Sequence, residues 1–113
     1  MSKLSDISRL EFILEMIEDI EYTIEENSSL IKALENRIGK HALLMCLMQI
    51  GESLNKIEDE SLKGKLPIRG AYDVRNFIAH DYDGVNLAMI ESDLRINIPK
   101  IFKIIESILE NEK

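Results

Sequence analysis

The first part of the chain carries its apolar residues at helical spacing. Apolar positions recur every three or four residues from Ile7 to Ile24, which is the pattern of a long amphipathic helix, and Ser5 is a suitable N-cap for it. We therefore predict a first helix over residues 6–26. Residues 27–29 are Asn-Ser-Ser, a sequence typical of turns, and end this pattern.

A second long helix is predicted from Arg37 to Ile57, after a short helical segment from Leu30 to Leu34. Its stretch from Ala42 to Met48 is apolar on every side. A helix without a polar face must be covered all round. One flank would remain in water unless another helix or a second copy covers it, so the pattern favours a homodimer over a four-helix monomer with this helix at its centre. The two Met and the Cys of this stretch are interpreted as packing residues, not as metal or redox groups.

A loop and a third helix follow. Residues 58–70 are polar and contain two Gly and one Pro, which predicts a loop with at most a fragment of helix. The third helix is expected from near Arg69 to about Ala79. Asp81, Asp83 and Gly84 then mark a turn.

The last helix is predicted from Leu87 to about Leu109, with Asn86 as its N-cap. Pro99 falls inside this helix and removes a backbone donor, so a kink or break is expected near Ile98. No segment alternates polar and apolar residues in the manner of a strand. The fold class is therefore all-α: an antiparallel bundle of four to five helices with a kinked last helix, in a single domain over residues 1–113.

Composition agrees with a globular chain, since 45% of the residues are hydrophobic and 31% are charged. The longest stretch without a charged residue or His runs from Ala42 to Gly51, which is too short to span a membrane. The N-terminus lacks the apolar core of a signal peptide. A single Cys excludes an internal disulfide and a Cys-rich metal site. We expect a cytoplasmic protein with no membrane association.

The net charge of −7 argues against general nucleic-acid binding, but the charges are unevenly distributed. From Glu11 to Glu26 there are seven acidic residues and no basic one, which indicates a solvated helix face or a docking surface for a basic partner. From Ser61 to His80 the balance reverses, with four basic residues against Asp73. This second segment therefore has a locally positive field.

The chain contains two His residues, so the imidazole candidates for acid–base chemistry are few. His41 stands beside Lys40 near the start of the second long helix, without an obvious partner, and is assigned a surface or capping role. His80 lies in the segment from Arg75 to Tyr82, which is rich in polar side chains capable of phosphate or proton chemistry.

The spacing within this segment leaves its geometry open. In an unbroken helix, residues five apart differ by about 140° around the axis, so Arg75 and His80 would not share a face, whereas Asn76 and His80 would. A helix that ends near Ala79 could turn His80 towards Arg75, and a second copy across a two-fold axis could also complete the pair. The structural alternative is that Arg75 pairs with Asp73 or Glu52 and that His80 is a helix-terminal residue favoured by the macrodipole.

Residues 75–82, Arg-Asn-Phe-Ile-Ala-His-Asp-Tyr, resemble the R-x4-H-x-Y motif of the HepT-like HEPN family, small all-α toxins of bacterial and archaeal toxin–antitoxin pairs. The similarity extends to residues 50–55 on the preceding helix, to the turn at residues 83–86 and to residues 93–99. It covers most of the chain, from about Leu4 to Ile108. The resemblance implies a single HEPN-like helical domain.

The resemblance also implies metal-independent cleavage of RNA, with Arg75 and His80 as the catalytic residues and no cofactor. His80 would serve as base or acid and Arg75 would stabilise charge on the phosphate, while Asn76 would orient His80 or the phosphate, or else cap the core. A homodimer would gather two copies of each residue around one phosphate. The products would be a 2′,3′-cyclic phosphate and a 5′-hydroxyl, and DNA would resist cleavage.

Tyr82 by itself is most simply a packed aromatic with a wet hydroxyl. The resemblance implies a second role, as the acceptor of AMP groups from a minimal nucleotidyltransferase antitoxin of the MntA type, in a type VII-like toxin–antitoxin pair. Two alternatives stay open: a non-catalytic subunit that binds a nucleotide or substrate for a nucleotidyltransferase, and a purely structural dimerisation bundle.

Overall fold

The computed structural model describes residues 3–111, and the all-α prediction is confirmed for this range, which contains no β-strand. Four long helices alternate with shorter ones. In chain order the elements are α1 (Lys3–Glu26), α2 (Leu30–Glu35), α3 (Arg37–Asn55), α4 (Glu60–Lys63), α5 (Ile68–His80), α6 (Leu87–Ser92), a π-helical turn (Asp93–Asn97) and α7 (Ile98–Asn111).

The helix ends follow the capping chemistry of the sequence at several positions. Asn86 begins α6 as predicted, and its side-chain oxygen accepts a hydrogen bond from the backbone N–H of Met89 at 3.1 Å. Asn36 caps α3 in the same way. The prediction that Ser5 caps α1 is wrong, because the helix already includes Lys3. Residues 3–5 contain no helix-breaking residue, so the helix extends past the serine.

The core forms where the apolar faces of the long helices meet. The predicted stripe of α1 is largely buried, and α3 packs against both α1 and α5. Helix α7 contributes an isoleucine repeat at spacings of three and four residues. Helices α1, α3 and α7 supply most of the core. Their principal buried residues are Leu10, Ile13, Ile17 and Ile20 in α1, Leu43, Leu44, Leu47, Ile50 and Leu54 in α3, and Ile98, Ile101, Ile105 and Ile108 in α7.

A single chain covers only part of the apolar stretch of α3. The thiol of Cys46 is buried, and burial, with a smaller effect of Asp19, raises its pKa to about 11. On another face of α3, by contrast, Met45 is 49% exposed and Ile38, seven residues earlier, is 64% exposed. Residues seven apart lie on nearly the same side of a helix. The chain therefore leaves an apolar ridge on α3 in contact with solvent.

Gly51 sets the distance between α3 and α5. A Cβ atom at this position would lie 2.7 Å from the backbone oxygen of Ala71 and 2.8 Å from the Cβ of Arg75. Both distances are shorter than van der Waals contact allows, so a larger residue would push the helices apart. The close packing of α3 on α5 thus depends on a glycine one residue before Glu52.

The kink predicted near Ile98 is confirmed as a π-bulge that joins α6 to α7. The backbone N–H of Ile98 donates to the carbonyl of Asp93, five residues earlier. Pro99 follows immediately. A proline lacks a backbone donor and its ring collides with the carbonyl four residues before it, which a widened turn avoids. Burial raises the pKa of the Asp93 carboxyl, and a hydrogen bond from Asn97 opposes this shift.

Asp6 fastens the beginning of α1 to the segment after α3. Its carboxylate is fully buried and accepts backbone hydrogen bonds from Glu58 at 3.0 Å and Asp59 at 2.8 Å. Arg9 adds an ion pair at 3.3 Å. The short helix α4, the fragment expected in this loop, begins directly after these contacts.

No helix within residues 3–111 has the length and apolar character needed to cross a membrane.

Candidate active site

Three of the four predicted site residues lie on α5, and the fourth lies in the turn after it. Arg75, Asn76 and His80 belong to the helix, and Tyr82 follows. Because α5 continues to His80 without interruption, Arg75 and His80 point in directions about 140° apart. The alternative in which the helix ends at Ala79 and turns His80 towards Arg75 is not adopted.

Arg75 is held in place by Glu52 of α3. The Glu52 Oε2 accepts a hydrogen bond from the Arg75 Nε at 2.9 Å and forms an ion pair with Nη2 at 2.7 Å. This is one of the two acidic partners that the sequence offered; the other, Asp73, is not used for this ion pair. The guanidinium also lies over the ring of Tyr72, with 5.6 Å between Cζ and the ring centroid.

Asn76 connects the guanidinium to the neighbourhood of His80. Its Oδ1 accepts a hydrogen bond from the Arg75 Nη1 at 3.0 Å. An arginine side chain has five N–H donors, one on Nε and two on each terminal nitrogen. The contacts with Glu52 and Asn76 hydrogen-bond Nε and Nη1 and place Nη2 in an ion pair. At least one N–H on each terminal nitrogen of Arg75 therefore remains without a hydrogen bond to a described residue. Two donors on adjacent nitrogens match the oxygens of a phosphate group.

His80 is exposed at the C-terminal end of α5. It lines a shallow pocket together with Asp73, Asn76 and Phe77. Phe77 is 59% exposed, so this pocket has an apolar wall open to solvent. The structure thus brings Asn76 next to both predicted catalytic residues, and Arg75 and His80 stand on either side of it.

Tyr82 has a partner that sequence reasoning missed. Its hydroxyl lies 3.0 Å from Nδ1 of His41, and the two rings are stacked with their centroids 5.5 Å apart. The prediction that His41 has only a surface or capping role is wrong. The two residues are 41 positions apart, and the contact arises because the turn after α5 returns to the N-terminal part of α3. The sequence carries no periodic signal for such a contact.

The environment of Tyr82 opposes ionisation. Burial raises the pKa of its phenol, and the negative charge of Asp83 raises it further. The phenol is therefore the dominant form at neutral pH, with a proton available for the hydrogen bond to His41.

The acidic stretch of α1 proves to be a solvated face. All seven of its carboxylate residues between Glu11 and Glu26 are exposed. Among residues 3–111 no group of three or more His, Cys, Asp or Glu side chains is arranged to hold a metal ion.

Comparison with known proteins identifies the family. The model of the family described as ribonuclease HepT-like matches residues 13–108, a range that includes the whole candidate site.

Two proteins of Methanocaldococcus jannaschii are also similar. "Putative RNase MJ1216" is 28% identical over 102 residues, covering 88% of this chain and 83% of the relative. "Putative RNase MJ0125" is 25% identical over 108 residues, covering 93% and 85%. No solved structure gives a significant match. The chain belongs to the HepT-like ribonuclease family.

Proposed function

We propose that this protein cleaves RNA without a metal ion, using His80 for proton transfer and Arg75 to stabilise charge on the phosphate. The observation that carries the proposal is that Arg75, in a chain of this ribonuclease family, has a fixed guanidinium with unused N–H donors. Arg75 lies on the helix that bears the exposed His80, and Glu52 and Asn76 fix its guanidinium. At least one N–H donor on each terminal nitrogen has no hydrogen bond to a described residue.

The proposed reaction is an intramolecular transesterification. The ribose 2′-oxygen attacks the neighbouring phosphorus and loses its proton to an imidazole, while the bond from phosphorus to the 5′-oxygen breaks. The leaving 5′-oxygen takes up a proton from a second imidazole, in its protonated form, and Arg75 offsets the negative charge on the non-bridging oxygens. The products are a 2′,3′-cyclic phosphate and a 5′-hydroxyl. DNA lacks the 2′-hydroxyl and is not cleaved.

A homodimer would complete this site. The reaction needs a base and an acid, whereas one chain supplies a single His80, directed away from its own Arg75. The exposed apolar ridge of Ile38 and Met45 supports a second copy, which would cover it. A two-fold axis that relates two such chains would bring both copies of Arg75 and His80 around one phosphate.

Regulation by a partner forms the second part of the proposal. In a type VII-like toxin–antitoxin pair, a minimal nucleotidyltransferase antitoxin would transfer AMP to the Tyr82 hydroxyl and so inactivate the ribonuclease in the cytoplasm. The added phosphate would lie two residues from His80 and would repel RNA. It would also require the hydrogen bond between Tyr82 and His41 to break.

The test is cleavage of RNA by the purified protein in the presence of EDTA. We expect wild-type protein to release fragments with 2′,3′-cyclic phosphate ends, and His80→Ala and Arg75→Ala each to abolish release while the oligomeric state is unchanged. Lys100→Ala, at an exposed position of α7, is the matched control and should cleave normally. Cleavage that persists in His80→Ala contradicts the mechanism. RNA or nucleotide binding without any cleavage supports the non-catalytic binding subunit instead.

A further inference from the structure

The exposed face of α5 extends well beyond the candidate active site. Arg69, Asp73, Asn76, Phe77 and His80 are all exposed, and their spacing places them within a sector of about 100° around the helix axis. From Arg69 to His80 this face is about 16 Å long, at the rise of an α-helix. One end carries the proposed catalytic imidazole, and the other carries a guanidinium.

A groove runs along the Arg69 half of this face and joins the pocket of His80. It shares Asp73 and Asn76 with that pocket, so the two are adjacent. Its other lining residues come from the end of α3, from α4 and the segment after it, and from α5: Asn55, Lys63, Leu66, Ile68, Arg69 and Tyr72.

The groove has the charge that a phosphate backbone requires. Arg69 forms no ion pair with another residue in the described range. Lys63 forms an ion pair with Glu60 at 3.2 Å, and an exposed pair of this kind contributes little to stability. Most of the groove lining belongs to residues 61–80, which carry four basic residues and one acidic residue in a protein of net charge −7. Among the residues that line the groove, Asp73 alone is acidic.

The groove also contains an aromatic ring. Tyr72 lines it and is packed against the guanidinium of Arg75, which restricts the ring. Proteins that bind single-stranded RNA combine a basic groove with aromatic side chains on which bases stack. The core of a protein–protein interface, by contrast, is depleted of charged residues, which makes a second copy of this chain a poor occupant for a groove lined by Lys63, Arg69 and Asp73.

We propose that this groove binds the single-stranded RNA that flanks the scissile phosphate, with Lys63 and Arg69 contacting phosphates and Tyr72 stacking against a base. The inference rests on the proposed function, since that function places the scissile phosphate at Arg75 and His80. The groove then sets how a longer RNA enters the site, and it gives the enzyme a preference for oligonucleotides over dinucleotides.

The test separates RNA binding from cleavage by using the His80→Ala background. Fluorescence anisotropy measures the affinity for a labelled single-stranded RNA of about twelve nucleotides, within the usual range of site sizes. Adding Arg69→Ala or Lys63→Ala should weaken binding roughly fivefold each and lower the slope of log K against log salt by about 0.7. Asp73→Asn should tighten binding, because it removes the repelling charge. Lys100→Ala and Arg37→Ala, exposed basic positions outside the groove lining, should leave the affinity unchanged.

Cleavage by the enzyme with His80 intact distinguishes failure of the groove from failure of the proposed function. Arg69→Ala should raise KM for the oligonucleotide and leave cleavage of a dinucleotide unchanged, whereas Arg75→Ala should abolish both. Affinities of Arg69→Ala and Lys63→Ala equal to those of the control variants would overturn the groove proposal, even if cleavage depends on His80. So would a change of oligomeric state in these variants with unchanged RNA affinity, because the groove would then be a protein interface.

Discussion

At the scale of single residues, the site is built from contacts between side chains that are far apart in sequence. Glu52 fixes Arg75 across 23 positions, and His41 holds Tyr82 across 41. The motif from Arg75 to Tyr82 could be identified from the sequence, and Glu52 was one of two possible partners for Arg75. His41 could not be assigned to Tyr82, because that contact depends on where the turn after α5 meets α3.

The phenol of Tyr82 gives a prediction about pH. Its pKa is raised above the ordinary value of 10.0, chiefly by burial, so the folded protein retains this proton at a pH where the unfolded chain has lost it. Stability therefore falls as the pH rises from about 10 through the folded-state pKa. Spectrophotometric titration of the wild-type protein and of Tyr82→Phe gives two curves, and their difference should show one phenol that ionises above pH 10. A difference spectrum with a midpoint at or below pH 10 would contradict the described environment of Tyr82.

At the scale of helices, most boundaries follow from the sequence because they depend on local chemistry. The spacing of apolar residues predicted α1 and α3 to within a few residues, the expected third helix matches α5, and Pro99 correctly indicated a break near Ile98. The sequence could not show whether the break would be a π-bulge or a simple kink, because Pro99 lacks its backbone donor in both cases. Which face of α5 packs on α3 depends on the close contact at Gly51, which periodicity does not describe.

Gly51→Ala tests the close packing of α3 and α5. The added methyl group would collide with the backbone of Ala71, so we expect the helices to separate, with a loss of about 1–3 kcal/mol in the free energy of unfolding. Cleavage of RNA should fall as well, since Glu52 and Arg75 would move apart. Urea denaturation and the cleavage assay measure the two effects.

Gly70→Ala is the matched control on α5, because a Cβ atom there meets nothing within 4 Å. It should stabilise the helix by up to about 1 kcal/mol and keep full activity. Equal stability of Gly51→Ala and Gly70→Ala would show that the close approach is unimportant.

Asp6 gives a second prediction at this scale, since it joins α1 to the segment between α3 and α4. Asp6→Ala leaves the backbone N–H groups of Glu58 and Asp59 without their buried acceptor, so we expect a loss of about 2–4 kcal/mol in stability. Glu18→Ala, on the exposed face of the same helix, should change stability by less than about 0.5 kcal/mol. Thermal or urea unfolding compares the two, and similar losses would contradict a fastening role for Asp6.

At the scale of the whole molecule, charge and apolar surface are segregated. The exposed acidic face belongs to α1, basic residues outnumber acidic ones between Ser61 and His80, and the exposed apolar ridge lies on α3. An apolar stretch in the sequence predicted that the chain would need additional cover. Which residues lack it could not be read from the pattern, because Leu43, Leu44 and Met45 look alike in sequence and only packing distinguishes them.

The apolar ridge predicts the consequence of disrupting the proposed dimer. Met45→Glu should convert the protein to a folded monomer and abolish RNA cleavage, because each site would lose the second His80. Ile31→Glu, at an exposed apolar position of α2, is the control and should remain dimeric and active. Light scattering coupled to size exclusion measures the mass. An active monomer would contradict the requirement for two copies.

The burial of Cys46 has a practical consequence. With its thiol enclosed by the core and its pKa near 11, the chain contains very little reactive thiolate in neutral buffer. A cysteine introduced on the exposed face of α5 would therefore react alone with a maleimide dye or a spin label, without prior removal of the native one. Spectroscopic rulers could then report how far apart two neighbouring subunits hold their α5 helices in solution.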